Sequence, residues 1–327
     1  MRGVWSVKKR GNTHRGRRWI LGLGCGMGII FCWLSHVAGL CAAEAGRAGE
    51  REVRVGFYNV RNYLSSEKKI KGGLQVPEKA REEVLALVAQ IAAVNVDVLL
   101  LCEIGGMEQL RTLSQLLKKE GCAYPWMGVL DAADEQRRLA YLSRYPISRE
   151  QSQTKLYFML EQIPFQMQRG ILDLEVQVEE IVFRVLGVHL KSKRPVPYGE
   201  SRIRRSEARL LRGYTEKILR ESKNPYLILL GDFNDTRESV VIKEVMGEKA
   251  KGDSLFDIRL TDHEGNTWTH YWAHADVYSR VDYIFVNRPV LKLLDRENCG
   301  IGYLPTWYQG SDHRLLYLTL KWVPGNY

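Results

Sequence analysis

Apolar runs that break off on a single polar residue constrain this chain more than any other feature. Leu227 to Leu230 are four apolar residues in a row, and the stretch LLGDFNDT (229 to 236) then delivers Asp232, Asn234 and Asp235. The event recurs. VRVGFYN (53 to 59) runs into Asn59, VDVLLLCE (96 to 103) ends on Glu103, IVFRVLGVHL (181 to 190) carries His189 near its end, and Asp282 stands at the start of VDYIFVN (281 to 287). An apolar run of this kind reads as a strand covered on both faces, and a carboxylate is too costly to bury without a partner. Taken singly, each residue is equally a turn or cap in which Asp or Asn bonds its own backbone. Five strands flanked in this way by acids, amides and imidazoles are hard to assign to turns alone. They point to strand ends that converge on one site.

The rest of the pattern fits an α/β domain over residues 51–325. Residues 77 to 94 carry Val84, Leu87, Val88 and Ile91 at helical spacing, with Pro77 placed for the first turn, and 107 to 121 form a second amphipathic stretch ending at Gly121. Strands are further predicted at 139 to 144, 169 to 178, 225 to 234 and 315 to 322, and a strongly basic helix over 201 to 220. No Gly/Ser or Pro-rich linker and no internal repeat divides this span.

Residues 1–45 read differently. Seven Lys or Arg and no acid lie in residues 1 to 18, no charge occurs from Trp19 to Cys41, and Ala42, Ala43 and Ala45 follow. This is the pattern of an export signal, with cleavage expected after Ala43 or Ala45; an uncleaved N-terminal membrane anchor through residues 19–41 is the alternative. The segment also carries much of the charge excess. The chain has 48 Lys+Arg against 38 Asp+Glu; without the seven and one in residues 1–45, 41 face 37, so the remainder is only mildly basic. Its cysteines are Cys102, Cys122 and Cys299, too few for a disulfide framework and without zinc-finger spacing. The expected location is secreted, periplasmic or envelope-bound.

With Asp312 and His313 in GSDHRLLYLTL, the candidate residues include hard oxygen donors for Mg²⁺ or Mn²⁺ and two histidines for proton transfer. They also include amides suited to phosphoryl oxygens. That is the inventory of metal-assisted phosphoester hydrolysis.

The motifs YNVRN, LLLCEIGG, LSRYPI, GVHLKS, LLGDFNDT, SRVDYIFVN and GSDHR stand in the order and at roughly the spacing of the endonuclease/exonuclease/phosphatase superfamily, which the chain resembles over its length beyond the N-terminal segment. The resemblance implies a four-layer α/β/β/α sandwich of two mixed sheets flanked by helices, with the site where the loops of both sheets meet. It implies metal ligands at Asn59, Glu103 and Asp312, and His313 as general base oriented by Asp282. Asp232 and Asn234 are implied to place water and the scissile phosphate, and His189 to bond a phosphoryl oxygen or the leaving group. Arg169 and Lys191 are expected at the phosphate, and Trp268 and Trp307 as rings beside the substrate. Arg61 stands where many secreted relatives carry Glu, so that loop has no carboxylate there for a second metal contact.

The function expected is a divalent-metal-dependent phosphodiester hydrolase of nuclease-like type, acting as a monomer on a phosphate ester or nucleic acid. A phospholipid or small phosphate-ester phosphodiesterase or phosphatase is the alternative on the same fold, and a catalytically inactive binding module the third reading. The basic segment from Lys191 through Lys193 and Arg194 to Arg212 is expected either to track a polyanion or to form a solvated helix face.

Overall fold

Packing between two sheets dominates the computed structural model, which describes residues 49–64, 78–248 and 252–325. The export signal or anchor and Pro77 lie outside the described residues. The first sheet has the order β15-β16-β1-β2-β4-β3. It comprises β1 (Arg51–Tyr63), β2 (Val98–Ile104), β3 (Trp126–Leu130), β4 (Arg138–Ser143), β15 (Gly300–Ile301) and β16 (Leu316–Trp322). The second has the order β11-β14-β10-β9-β8-β5. It comprises β5 (Ile147–Glu150), β8 (Leu172–Val178), β9 (Ile181–His189), β10 (Tyr226–Asp232), β11 (Phe256–Asp257) and β14 (Asp282–Val286). Both are mixed: β1 runs parallel to β2 and β9 parallel to β10, and the other pairs are antiparallel. Two small hairpins stand apart, β6 (Tyr157–Leu160) with β7 (Ile163–Gln166), and β12 (His270–Trp272) with β13 (Val277–Ser279).

Alternation along the strands explains why the runs are apolar throughout. Phe57, Leu100 and Cys102 of the first sheet share the central core with Leu174, Val185, Ile228 and Leu230 of the second. Their neighbours Tyr58, Leu99 and Leu101 face outward onto α1 (Arg81–Val94) and α2 (Met107–Lys119), through Leu87, Ile91, Leu110 and Leu113. On the far side Leu186, Val188, Leu227 and Leu229 meet α3 (Glu200–Glu221) and α4 (Val240–Met246), through Ala208, Leu211, Ile218 and Ile242. The layers are therefore α/β/β/α, the central strands being buried on one face against the other sheet and on the other against helices. Gly231 belongs to this close packing, because a Cβ there would lie 2.5 Å from the carbonyl oxygen of Val188. The GD step of the opening motif thus has a steric cause.

The elements depart from expectation at their ends. α1 begins at Arg81, four residues after Pro77, where the Glu83 carboxylate accepts the Ala80 N–H at 2.9 Å, and it ends on Asn95 in the left-handed region. β1 does not stop at Asn59: it continues to Tyr63 through Arg61 and Asn62, with φ of +44° and +51°. The short helices α5 (Arg288–Leu291) and α6 (Trp307–Gly310) complete the chain order. Cys102, Cys122 and Cys299 are free thiols. Among the described residues no helix is long and apolar enough to cross a membrane.

Candidate active site

Strand register brings the polar ends together. Asp232 closes β10 directly beside His189 at the end of β9 and opposite Asp282 at the start of β14. In the other sheet Asn59 pairs with Cys102, so Glu103 stands one residue further out. Both strand ends turn through the left-handed region, Glu103 itself at φ +64°. That conformation is disfavoured for a residue with a Cβ, and local hydrogen bonds hold it here. The Arg61 N–H donates to Asn59 Oδ1 at 3.0 Å and the Asn62 N–H to Glu103 Oε2 at 2.9 Å.

At the centre lies the buried Asn59 amide. Its Nδ2 is 3.1 Å from Asp232 Oδ2, 3.4 Å from Glu103 Oε1 and 3.4 Å from His313 Nε2. The amide nitrogen is thus the atom turned to the carboxylates, while Oδ1 is taken by Arg61. His313 Nδ1 is 2.9 Å from Asp282 Oδ2, and since an ionised carboxylate only accepts, the ring donates there and leaves Nε2 facing Asp232 Oδ2 at 3.9 Å. Ser311, fully buried, ties the segment before β16 to β1 at this point: its hydroxyl donates to the Asn59 carbonyl at 2.7 Å and accepts the His313 N–H at 3.0 Å. His189 Nε2 lies 3.5 Å from Asp232 Oδ2 and 3.8 Å from Glu103 Oε1. Asn234 is spent on structure, its amide donating to the Leu190 carbonyl at 3.0 Å and its N–H to Asp232 Oδ1 at 2.9 Å.

The two histidines are driven in opposite directions. Burial, with Arg169 next, holds His189 well below its ordinary pKa, so its ring is neutral. Burial pulls His313 the same way, but Asp282, by charge and hydrogen bond, and then Asp232 outweigh it and raise the imidazole to about 10. Asp232 is itself raised to about 7, by burial and then by the charge of Asp282. The neighbouring charges thus favour the protonated ring at His313, and burial the protonated acid at Asp232.

Several rim residues differ from expectation. Arg169 is tied to Asp134 Oδ2 at 3.2 Å and reaches the Leu190 carbonyl at 3.5 Å, next to His189. The Lys191 ammonium turns to the carbonyls of Ser192 and Arg194 at 3.1 and 3.2 Å. Trp268 lies 4.1 Å over the Arg314 guanidinium and 5.1 Å from the Trp307 ring, so both indoles belong to a packed cluster. Asp312 is half-buried, 3.6 Å from Arg61 and 4.0 Å from His270 Nε2. His270, whose ring lies tilted 4.5 Å from that of His313, was hidden in the sequence among the aromatics of TWTHYW. So were Ser311 and Thr269, whose hydroxyls have no sequence signature.

The residues present fit a divalent cation. Acidic groups converge where Asp232 is raised in pKa, and Asp282 Oδ1 is buried without a hydrogen-bond partner among the described residues. Two sets, His270 with Asp312 and His313, and Asp232 with Asp282 and His313, bring donor atoms within 4.8 Å of one another. Glu103 supplies a hard carboxylate beside them.

The sequence profile of the Endonuclease/Exonuclease/phosphatase family matches residues 56–313, from β1 to the histidine of the site. The chain belongs to this family. It is thereby a member of a group of phosphoric ester hydrolases in which a divalent metal is usual. Comparison with curated proteins finds no match. Solved structures share the fold. Truncated TDP2 of Caenorhabditis elegans is 15% identical with a TM-score of 0.55, over 82% of this chain and 97% of that one. The human Nocturnin catalytic domain is 16% identical with a TM-score of 0.55, over 83% and 94%. A mannosyl-6-phosphatase of Bacteroides thetaiotaomicron is 15% identical with a TM-score of 0.53, over 81% and 98%.

Proposed function

We propose that this family member is an exported, divalent-metal-dependent phosphodiester hydrolase. The observation that carries the reading is the His313 ring, fixed by Asp282 at 2.9 Å with Nε2 aimed into a cluster of Asp232, Asn59 and Glu103. A ring held in one tautomer beside acidic groups is equipped to move a proton, typically about 10² to 10⁴ in rate. Glu103 and Asp312 would hold the Mg²⁺ or Mn²⁺, which when bound neutralises charge on phosphoryl oxygens and opposes the proton retained at His313. In the unprotonated form of the ring, with Nδ1–H held by Asp282, His313 Nε2 takes a proton from water as the water oxygen bonds to phosphorus. The bond from phosphorus to the leaving oxygen breaks, and that oxygen leaves as an alcohol with a proton from solvent, to which His313 returns the one it took. Neutral His189, beside Asp232 and Glu103, would offer an N–H to a phosphoryl oxygen.

The purified protein should hydrolyse a chromogenic phosphodiester with Mg²⁺ and stop on addition of EDTA. Glu103→Gln, which keeps shape and removes charge, should lose turnover and weaken metal binding while melting normally. Absence of Mg²⁺-dependent turnover in the parent, or near-normal turnover in Glu103→Gln, would count against the reading.

A further inference from the structure

Asp282 is a paradox as an orienting group. One carboxylate oxygen holds His313 at 2.9 Å, while the other is buried with no donor among the described residues. A carboxylate that orients a ring is normally held by donors of its own. With none on its free oxygen, the Asp282 side chain is placed by its backbone, and one hydroxyl grips that backbone. Thr269, fully buried, accepts the N–H groups of Val281 and Asp282 on Oγ1, both at 3.1 Å.

Thr269 is itself gripped by the residue that follows His313. The Arg314 N–H donates to the Thr269 carbonyl at 2.8 Å, and the Thr269 N–H to the Ser279 carbonyl at 2.9 Å. The Arg314 guanidinium, almost wholly buried, donates to the Trp268 carbonyl at 3.3 Å and to Asp262 Oδ2 at 2.7 Å, with the Trp268 ring 4.1 Å over it. The contacts close a circuit. From His313 the chain passes to Arg314, from Arg314 to Thr269, from Thr269 to the Asp282 backbone, and through the Asp282 carboxylate back to the His313 ring.

We propose that Thr269 is a positioning residue for proton transfer, acting through Asp282 to hold the His313 ring, with Arg314 fixing Thr269 in place. The proposal rests on the reading of His313 and Asp282 as the proton-transfer pair. The hydroxyl touches neither ring nor substrate. Its effect therefore falls on turnover and not on substrate binding, and it vanishes when Asp282 no longer carries a carboxylate.

The test uses the full chain and a chromogenic phosphodiester with Mg²⁺. Thr269→Val keeps the shape and removes the acceptor; it should lower kcat about 10- to 100-fold, the scale of a small misplacement of a reacting group, with KM unchanged. Thr269→Ser, which restores the hydroxyl, should return kcat to within about threefold of the parent. In an Asp282→Asn background Thr269→Val should cost less than about twofold, because the two act as one unit. Should Thr269→Val not fold, Thr269→Ala replaces it. The low-field proton NMR signal of His313 Nδ1–H, read without substrate, should persist in Thr269→Ser and be lost or shifted in Thr269→Val. Unchanged kcat, a loss confined to KM, full additivity with Asp282→Asn or an unmoved signal would each overturn the positioning role. A parent with no turnover would instead count against the phosphodiesterase reading, and the NMR signal alone would then decide for or against Thr269.

Discussion

Asp282 holds the His313 ring by one buried contact at 2.9 Å, so the proton transfer assigned to His313 depends on both residues. Asp282→Asn and His313→Ala should each cost about 3 kcal/mol or more of transition-state stabilisation, and the double variant little beyond the poorer single, as groups that act as a unit do. Steady-state kinetics on the four proteins checks this, and full additivity would separate the two residues. Asp262 gives a prediction about stability. Burial would raise its carboxyl, but Arg314 and the Asn266 amide groups hold it down at about 2. The folded state thus binds its proton less readily than the unfolded chain, whose Asp titrates near about 4. Its contribution, about 2 kcal/mol, is complete above that value and is lost as pH falls through about 2. Asp262→Asn removes this pH dependence and leaves the Arg314 charge buried without its partner, a cost of about 3 to 5 kcal/mol. Urea unfolding of parent and variant at pH 7 and near pH 2 should show the difference in stability between them shrinking in acid; a constant difference would contradict the assignment.

At the scale of elements, strand identity was legible in the sequence because two covered faces make a run apolar at every position. The ends were not. β1 runs past Asn59 because Arg61 and Asn62 take left-handed backbone conformations that no hydrophobic pattern records. The edge strands β3 and β5 and both small hairpins escaped because each strand is only three to five residues long, too short for a periodic pattern to show. Helix α3 shows the same limit in charge. The sequence counts Arg204 and Arg212 among cations free to meet a polyanion, but both are buried. Arg204 holds Asp235 at 3.0 Å and the Lys191 carbonyl at 3.1 Å, and Arg212 holds Glu216 at 2.8 Å. Glu207, raised to about 7 chiefly by burial, accepts the Lys191 N–H at 2.6 Å from the same helix face. These groups fasten the segment after His189 and leave only the exposed cations, Lys193 and Arg194 among them, for a long substrate. Reversing those two charges should therefore weaken activity on an oligonucleotide, with a reduced salt slope, and spare a small chromogenic ester. Equal losses on both substrates would exclude a polyanion-tracking role.

At the scale of the whole molecule, the site was legible as a set and not as a geometry. Sequence order gave Asn59, Glu103, His189, Asp232, Asp282 and His313. Only the meeting of two sheets shows that Asn59 and Asp232, from different sheets, touch at 3.1 Å. The same architecture bears on export. The compact unit that holds both sheets begins at Gly49, and its first strand at Arg51. Cleavage after Ala43 or Ala45 would therefore remove no residue of that unit, and an N-terminal segment with seven cations followed by an uncharged stretch from Trp19 to Cys41 suits such a signal. Protein recovered from the producing cell should begin at Glu44 or Gly46, lie outside the cytoplasm, and unfold at the same temperature and turn over substrate at the same rate as the intact chain. N-terminal sequencing of the fractionated protein decides it. Met1 retained in the membrane fraction would establish an anchor through residues 19–41, and Met1 in the soluble cytoplasmic fraction would refute export, leaving the chemistry of the two sheets untouched because no residue of the site lies before Asn59.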